Sequence, residues 1–284
     1  MNLVAVPRGS RPAGKVSRKQ PGDNLARVDV SQVGCALGFA VTEAAEIVLR
    51  ISAADPITET LSVTTGGHPV EAAEVAGRQH YVRVPAGMVN VSYSAQVDSE
   101  PRGDRVVTEA ERIEALRPSR YCPSDRLGGF AARQFGATAD AATVAGWVFE
   151  HLSYEVGSST ATTDAIDTLL SGAGVCRDYA HLTATLCRAL NIPARVAAVY
   201  APGLSPMDFH LVTETSLDGR WRVWDATRLA PRPTLIRIAT GRDAADTALA
   251  TTLSGALTVT DMQITAVAAA DLPTDDHMSP VTLG

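Results

Sequence analysis

The pattern of hydrophobic and polar residues in the first part of the chain differs from the pattern in the rest. Up to about residue 115, the apolar residues come in short, partly alternating and often β-branched runs. These runs cover residues 45–52, 60–64, 81–84 and 89–97. Turn residues such as Gly66-Gly67 and Pro85-Ala86-Gly87 separate the runs, as is typical of short antiparallel strands. The pattern therefore predicts a β-sandwich or barrel-like domain over residues 25–115.

Helical patterns replace this alternation beyond a proline-containing stretch at residues 116–128. One helix is predicted over residues 139–152, where apolar residues share a face. A second is predicted over residues 163–170, which start at a capping residue and end before a glycine. A third begins at Cys176, directly after a glycine-bearing turn, and ends near Asn191. We therefore expect three successive helices in this part of the chain.

Strand patterns return after the third helix, at residues 194–200, 210–217 and 220–225. Asp218-Gly219 lies between the last two and is a strong signal for a two-residue hairpin turn. In the register that this turn sets, His210 faces position 227, and Asp225 lies two residues away on the same face of the sheet. The hairpin therefore predicts that the side chains of His210 and Asp225 come within reach of each other.

The patterns divide the chain into five segments. The first 24 residues are basic and rich in glycine, proline and serine, without the apolar stretch of a signal peptide. A strand pattern near the end of the chain, at residues 256–268, can complete the N-terminal sheet. We predict a disordered leader at 1–24, a β-rich N-terminal domain at 25–115, a domain of helices and strands at 116–245, a β segment joining the N-terminal domain at 246–272 and a flexible tail at 273–284.

Composition and charge narrow the class of protein. The 284 residues are 45% hydrophobic and 20% charged, with a net charge of −6, as in ordinary globular proteins. The acidic balance gives no indication of a nucleic-acid partner, and no apolar run reaches the roughly 18 residues of a membrane helix. We expect a cytoplasmic protein without nucleic-acid or membrane partners, in which the four cysteines are reduced thiols.

The turn Gly172-Ala173-Gly174-Val175 brings Cys176 to the start of the third predicted helix. Unpaired backbone N–H groups and the positive end of the helix dipole favour a thiolate at such a position. Nucleophilic cysteine catalysis also needs an imidazole to carry the proton and a carboxylate or amide to orient the imidazole. The hairpin offers His210 and Asp225 for these roles, so the residues indicate a catalytic triad. The Cys176 backbone N–H is expected to be one donor to the oxyanion.

The other cysteines and histidines fit structural roles better. We expect the remaining cysteines to be small core residues, namely Cys35, Cys122 and Cys187. His181 lies five residues after Cys176, about 140° around the helix, so we expect it to face away from the thiol and to be buried and hydrogen-bonded. Asp178 is expected to cap the helix or to form an ion pair. The sequence contains no CxxC, HExxH or phosphate-binding loop, so neither a metal nor another cofactor is expected.

Six short motifs stand out between residues 118 and 242. They are Pro118-Ser119-Arg120-Tyr121-Cys122-Pro123-Ser124-Asp125, Tyr154-Glu155-Val156-Gly157-Ser158-Ser159, Gly174-Val175-Cys176-Arg177-Asp178-Tyr179-Ala180-His181, Asn191-Ile192-Pro193-Ala194-Arg195, Asp208-Phe209-His210 and Trp224-Asp225-Ala226-Thr227. Together these motifs resemble the bacterial transglutaminase-like superfamily, which has a papain-like cysteine fold and a β-rich N-terminal region.

The resemblance implies an α+β fold in which a helix-borne cysteine packs on an antiparallel sheet, and it makes residues 116–245 the catalytic domain. It puts the family's nucleophile, base and orienting acid on Cys176, His210 and Asp225. It also implies Tyr154 as a candidate for the second oxyanion donor, because the Tyr-x-x-Gly-Ser-Ser context recurs near the cleft of the family.

The leading hypothesis is a thiol enzyme that acts on an amide or peptide bond of a protein or peptide substrate. Its acyl-cysteine intermediate would pass the acyl group to water, as in a protease or amidase, or to an amine, as in a transglutaminase. The triad does not decide between them, because acceptor choice depends on the walls of the cleft. Two alternatives stay open: an amine N-acyltransferase that uses a thioester donor, and an inert papain-like domain used for binding.

Overall fold

A large antiparallel sheet forms the first part of the fold in the computed structural model, which describes residues 30–98, 106–136 and 138–283. Its strands are β1 (Val30–Leu49), β2 (Pro56–Thr65), β3 (His68–Val70), β4 (Ala72–Val75), β5 (Gln79–Val84), β6 (Gly87–Asp98) and the C-terminal β13 (Ala250–Val267). The sheet is centred on β1, which pairs first with β6 and then with β5, while β13 pairs with β1 along most of its length. The predicted leader at 1–24 lies outside the described residues.

Helices and a smaller sheet form the rest of the fold. The helices are α1 (Glu109–Glu114), α2 (Gly128–Phe135), α3 (Ala141–His151), α4 (Ala165–Ser171), α5 (Cys176–Ala189) and α6 (Ala244–Thr247). The strands are β7 (Ser153–Tyr154), β8 (Ala173–Gly174), β9 (Ala194–Tyr200), β10 (Phe209–Leu217), β11 (Arg220–Trp224) and β12 (Ile236–Gly241). Among the helices of the described residues, none combines the length and the hydropathy that crossing a membrane requires.

The smaller sheet has the strand order β11-β10-β9-β12, all antiparallel, and α5 packs on it. Residues 178–188 of α5 are all buried, because the small sheet and the neighbouring helices cover this helix. A hydrogen bond from Thr213 Oγ1 to the Ala180 carbonyl, 3.0 Å long, joins β10 to the helix. The predicted α+β class, with a helix on an antiparallel sheet beside a barrel-like N-terminal sheet, is confirmed.

The hairpin between β10 and β11 has the predicted register. Thr213 faces Trp224, and Leu217 faces Arg220 across the Asp218-Gly219 turn. Both turn residues have positive φ angles, 52° and 72°, which an Asp-Gly pair adopts readily. The turn therefore determines which residues of β10 lie beside the chain that leaves β11.

The two sheets share one hydrophobic core. Side chains from the large sheet, such as Phe39, pack in the same cluster as Tyr200 of β9 and Ile238 of β12. Two hydrogen bonds cross the junction: the Tyr200 hydroxyl donates to the Ile51 carbonyl at 2.6 Å, and the Ala54 N–H donates to the Arg237 carbonyl at 2.8 Å. The chain that leaves β1 is therefore fixed against the smaller sheet.

The last part of the chain contacts both sheets. β13 pairs with β1, and the segment assigned from the sequence to a flexible tail lies against the smaller sheet. There the buried Arg232 forms an ion pair with Asp275 at 2.7 Å, and Leu283 is buried. The division of the chain into the five predicted segments stays a prediction.

We predict that Tyr200→Phe lowers the free energy of unfolding by about 1–3 kcal/mol, because the fully buried Ile51 carbonyl loses its hydroxyl donor. Urea unfolding followed by circular dichroism measures the change. Tyr81→Phe is the matched control, because the Tyr81 hydroxyl bonds Glu46 at a more exposed position where water can replace it. An equal loss in the two variants would contradict a special role for the junction hydrogen bond.

Candidate active site

Cys176 is the first residue of α5, and a short turn fixes its position. Gly172 ends α4 in the left-handed region, with φ of 68°, and Ala173–Gly174 then pairs in parallel with Ser153–Tyr154. A side chain at position 174 would put its Cβ 2.6 Å from the Asp178 Cβ, so only glycine fits there. The glycine-bearing motif thus brings two backbones together and starts the helix at the cysteine.

Asp178 holds the start of this helix. Its buried carboxylate accepts hydrogen bonds from the Val175 N–H at 2.9 Å and from the Ser159 hydroxyl at 2.6 Å. Arg177 forms an ion pair with the same carboxylate at 2.9 Å. The predicted structural roles of Asp178, as a helix cap and an ion-pair partner, are both present. Because every oxygen of Asp178 is bonded, the helix start is a rigid support for Cys176.

His210 and Asp225 meet as a buried pair. His210 Nε2 lies 2.9 Å from Asp225 Oδ2, and both side chains are about 1% exposed. The second oxygen of Asp225 accepts the Thr227 backbone N–H at 2.9 Å and the Thr227 hydroxyl at 2.7 Å. The carboxylate is therefore held on both sides, and Nδ1 is the ring nitrogen that remains for another partner.

The charged forms of His210 and Asp225 stabilise each other. Burial by itself lowers the pKa of His210, but the Asp225 carboxylate and the neighbouring Cys176 sulfur raise it to about 10. Burial by itself raises the pKa of Asp225, but His210 and the two Thr227 hydrogen bonds lower it below its ordinary value. At neutral pH the pair is therefore an imidazolium and a carboxylate, with the imidazolium also influenced by Cys176.

Cys176 and His210 border the same cavity, which has a volume of about 190 Å³. Its walls are mostly apolar. They come from the smaller sheet, the start of α5, the chain around α6 and the residues next to the ends of β1 and β13. The lining includes Arg50, Ala198, Phe209, Leu211, Ile238 and Leu249. A partly exposed sulfur, an imidazolium and mostly apolar walls with a few polar groups thus meet at one place, as is typical of binding sites for small ligands and substrate side chains.

Tyr154 lies beside the start of α5 because β7 pairs with β8. Burial and the adjacent Cys176 side chain raise the pKa of the Tyr154 hydroxyl, and the nearby Cys176 backbone N–H partly offsets this rise. The ring lies 6.0 Å from the Tyr179 ring and is 44% exposed. The structure thus brings this candidate to the predicted nucleophile, and its role in catalysis stays a prediction.

His181, the rival base, is fully buried, as predicted. Its Nε2 accepts the Ala244 N–H at 3.0 Å, and its ring stacks on Tyr121 at 5.2 Å. Burial lowers the pKa of His181 to about 4, so the ring is neutral at physiological pH. This histidine supports the chain at α6 rather than the thiol.

The three other cysteines are buried, as predicted. Burial raises the pKa of Cys35 and of Cys122 to about 11 and that of Cys187 to about 12. All three are therefore thiols at neutral pH. Within the part of the chain that the structure describes, no cluster of three or more His, Cys, Asp or Glu side chains is arranged to hold a metal ion.

Two residues at the site were not found from the sequence. Thr227 anchors Asp225, and the Asp-x-Thr spacing of a local turn could have indicated it. Arg50 lines the cavity from the end of β1. No local pattern could have indicated Arg50, because only the packing of the two sheets brings it to the site.

Comparisons with known proteins identify the family and the fold of the chain. The sequence profile described as the Transglutaminase-like superfamily matches residues 129–226. A crystal structure from Cytophaga hutchinsonii, described as that of a candidate cysteine protease, is similar with a TM-score of 0.76 and 31% identity, over 87% of this chain and 92% of that one. An uncharacterised Mycobacterium leprae protein is 28% identical over 158 residues, 50% of this chain and 55% of that protein. The chain thus spans about half the length of this curated relative.

The direction in which the pKa of His210 is shifted determines the pH range over which its ionisation stabilises the folded protein. Its pKa is raised above the ordinary 6.5, so the contribution is complete below that pH and is lost as pH rises through about 10. For Asp225, whose pKa is lowered from 3.8, the contribution is present above that value and is lost as pH falls through the lowered one.

We predict that His210 stays protonated across neutral pH and that Asp225→Asn moves its titration to lower pH. The reason is that the variant keeps the burial and loses the carboxylate charge. NMR of the His210 ring carbons as a function of pH measures both midpoints. The buried His181 is an internal control, because it should stay neutral in both proteins. A wild-type midpoint near the ordinary value of 6.5 would contradict the prediction.

Proposed function

Because the chain belongs to the transglutaminase-like superfamily, a family of thiol enzymes, we propose that it cleaves an amide or peptide bond through an acyl-cysteine intermediate. The proposal is carried by the buried His210–Asp225 pair, 2.9 Å apart, whose histidine lines the same cavity as Cys176. In this proposal Cys176 is the nucleophile, His210 the acid and base, and Asp225 the group that orients the ring.

The proposed reaction has two steps. The Cys176 thiolate attacks the carbonyl carbon, and the His210 imidazolium gives its proton to the leaving amine as the carbon–nitrogen bond breaks. Neutral His210 then takes a proton from water, which attacks the thioester and releases the acid. The carbon–sulfur bond breaks, and thiolate and imidazolium are regenerated. Asp225 stabilises the imidazolium without taking its proton.

The oxyanion of each tetrahedral intermediate needs preorganised donors. We assign these roles to the Cys176 backbone N–H and the Tyr154 hydroxyl, which lie near each other at the start of α5. The backbone N–H and the hydroxyl each carry one hydrogen that they can donate. An oxyanion that approaches both groups can therefore receive a hydrogen bond from each.

Water is the acyl acceptor that we propose, which makes the protein a cysteine protease or amidase. The Cytophaga hutchinsonii relative, described as a candidate cysteine protease, supports this choice. Transfer to an amine uses the same acyl-enzyme and is the other outcome of the test. The four free cysteines support the cytoplasm as the proposed compartment, and a protein or peptide is the proposed substrate.

We predict that a mass-spectrometric survey of peptide and amide substrates finds turnover that depends on the three residues as a unit. Cys176→Ala and His210→Gln should each lower the rate by about a thousandfold or more, and the double variant should lose little beyond either. Asp225→Asn should also lose activity while it stays folded, because the ring loses the charge that stabilises its imidazolium. Isotope-labelled water and an added primary amine show which acceptor takes the acyl group.

His181→Gln is the control for this experiment. It removes a buried histidine of the same helix and should lower stability while the folded protein keeps turnover, because His181 is bonded to Ala244. Loss of turnover in a folded His181→Gln, together with activity in His210→Gln, would show that His181 is the base. Turnover by Cys176→Ala at the wild-type rate would overturn the proposed nucleophile.

A further inference from the structure

Arg50 is one of the residues that line the cavity beside Cys176. Its side chain forms no hydrogen bond or ion pair with any residue of the described ranges. Its charge interacts at a distance with Asp246. The Asp246 carboxylate is already occupied, since it accepts hydrogen bonds from the Arg242 side chain at 2.9 and 3.2 Å and from the Arg242 backbone at 2.9 Å.

Arg177, the other arginine that lines the cavity, already has hydrogen-bond partners within the protein. Arg177 is bound to Asp178, to the Ser159 hydroxyl and to the Thr160 carbonyl, with distances of 2.8 to 3.2 Å. Its donors are therefore largely used within the protein. Arg50 is the cation of this cavity that has donors to offer to a ligand.

The backbone at Arg50 is held firmly. Its N–H donates to the Leu249 carbonyl at 2.9 Å, and the next residue, Ile51, accepts the Tyr200 hydroxyl across the sheet junction. Partial burial lowers the pKa of Arg50, and the charge of Asp246, which is already bonded to Arg242, offsets this in part. The guanidinium has therefore lost hydration without gaining a directly bonded counter-ion. An anion that enters the cavity would replace the lost hydration of the Arg50 charge with a direct ion pair. Because the backbone at Arg50 is fixed, less entropy is lost when the anion binds.

We propose that Arg50 binds a carboxylate of the substrate and thereby selects acidic substrates for Cys176; this inference rests on the proposed function. The planar guanidinium suits a carboxylate because it can donate two parallel hydrogen bonds. The cavity volume of about 190 Å³ is below the roughly 300 Å³ at which sites for drug-sized ligands begin. It therefore takes about one residue, and the carboxylate belongs to a residue that flanks the scissile bond.

Two sources can supply this carboxylate: the C-terminal carboxylate of a peptide, or the side chain of an aspartate or glutamate. The apolar walls, formed among others by Phe209, Leu211 and Ile238, contact the carbon skeleton of that residue in either case. The large sheet thus contributes substrate selectivity to a nucleophile carried by the smaller half of the fold.

Paired alkylating reagents test the inference without a known substrate. Iodoacetate and iodoacetamide have the same shape and differ in charge, and N-iodoacetylglycine and N-iodoacetylglycinamide place the same difference farther from the sulfur. The thiolate displaces iodide from each reagent. Peptide mapping by mass spectrometry gives the rate at each cysteine, and the measured quantity is the ratio of anionic to neutral rates at Cys176.

We expect Arg50→Gln to lower this ratio by about tenfold or more for at least one reagent pair, because a hydrogen-bonded ion pair is lost. Arg50→Lys should keep part of the ratio, and Arg50→Glu should lower it further than Arg50→Gln. Arg83→Gln is the matched control, because Arg83 is an arginine of β5 with a 75% exposed side chain. That control changes the net charge of the protein equally and should leave the ratio unchanged.

The outcomes separate the two proposals. If iodoacetamide labels Cys176 no faster than Cys35, Cys122 and Cys187, the proposed function fails. If Cys176 reacts selectively but both reagent pairs give equal ratios in wild type, Arg50→Gln and Arg50→Lys, the role of Arg50 is overturned while the nucleophile stands. An equal fall in Arg50→Gln and Arg83→Gln would also overturn it, since net charge alone would explain the result.

Peptide substrates then distinguish the two sources of the carboxylate. One pair has a free or an amidated C-terminus next to the scissile bond, and the other has glutamate or glutamine there. A preference for the acidic member that disappears in Arg50→Gln identifies the source as the C-terminus or the side chain. Equal cleavage of both members of both pairs by the wild-type enzyme would overturn the inference.

Discussion

His210 is buried, and burial alone would remove its proton, so the charge state of the site depends on the Asp225 carboxylate 2.9 Å from Nε2. The carboxylate in turn is tolerated inside the protein because His210 and Thr227 satisfy both of its oxygens. Removing one member of such a buried pair typically costs about 3–5 kcal/mol. The interaction therefore keeps an imidazolium next to Cys176 and also keeps β10 and the chain after β11 together.

The scaffold around this pair explains how one short motif can hold a nucleophile. Asp178 closes the first turn of α5, and Gly174 allows the backbone to pass close to it. The cavity is completed from the other direction by the chain that leaves β1, which the Tyr200 hydroxyl fixes to the smaller sheet. The packing of the two sheets is thus part of the site, and in our proposal it supplies the group that selects the substrate.

Local signals in the sequence predicted the parts of the site that depend on neighbouring residues. The Asp218-Gly219 turn determined the hairpin register and so the meeting of His210 and Asp225, and the helix position of His181 correctly assigned it to the interior. The first half of β1 was missed because Gly34 and Gly38 resemble turn signals. A Cβ at Gly34 would lie 2.4 Å from the Tyr93 carbonyl oxygen, so this glycine permits close strand contact.

Features that depend on distant parts of the chain could not be predicted in this way. Arg50 reaches the cavity only because the end of β1 packs against β9 and β12. Tyr154 was found through the family resemblance, and the physical reason for its position is the two-residue pairing of β7 with β8. Hydrophobic periodicity carries no information about such a contact between two very short segments.

The proposed reaction requires Cys176 to carry an acyl group during turnover. Acid quenching of the enzyme during cleavage of a substrate, followed by intact-mass measurement and peptide mapping, tests it directly. We expect a mass increase equal to the acyl part of the substrate, located on Cys176 and absent from Cys176→Ala. Continued cleavage without an adduct on Cys176, with Cys176→Ala still active, would show that Cys176 is not the nucleophile.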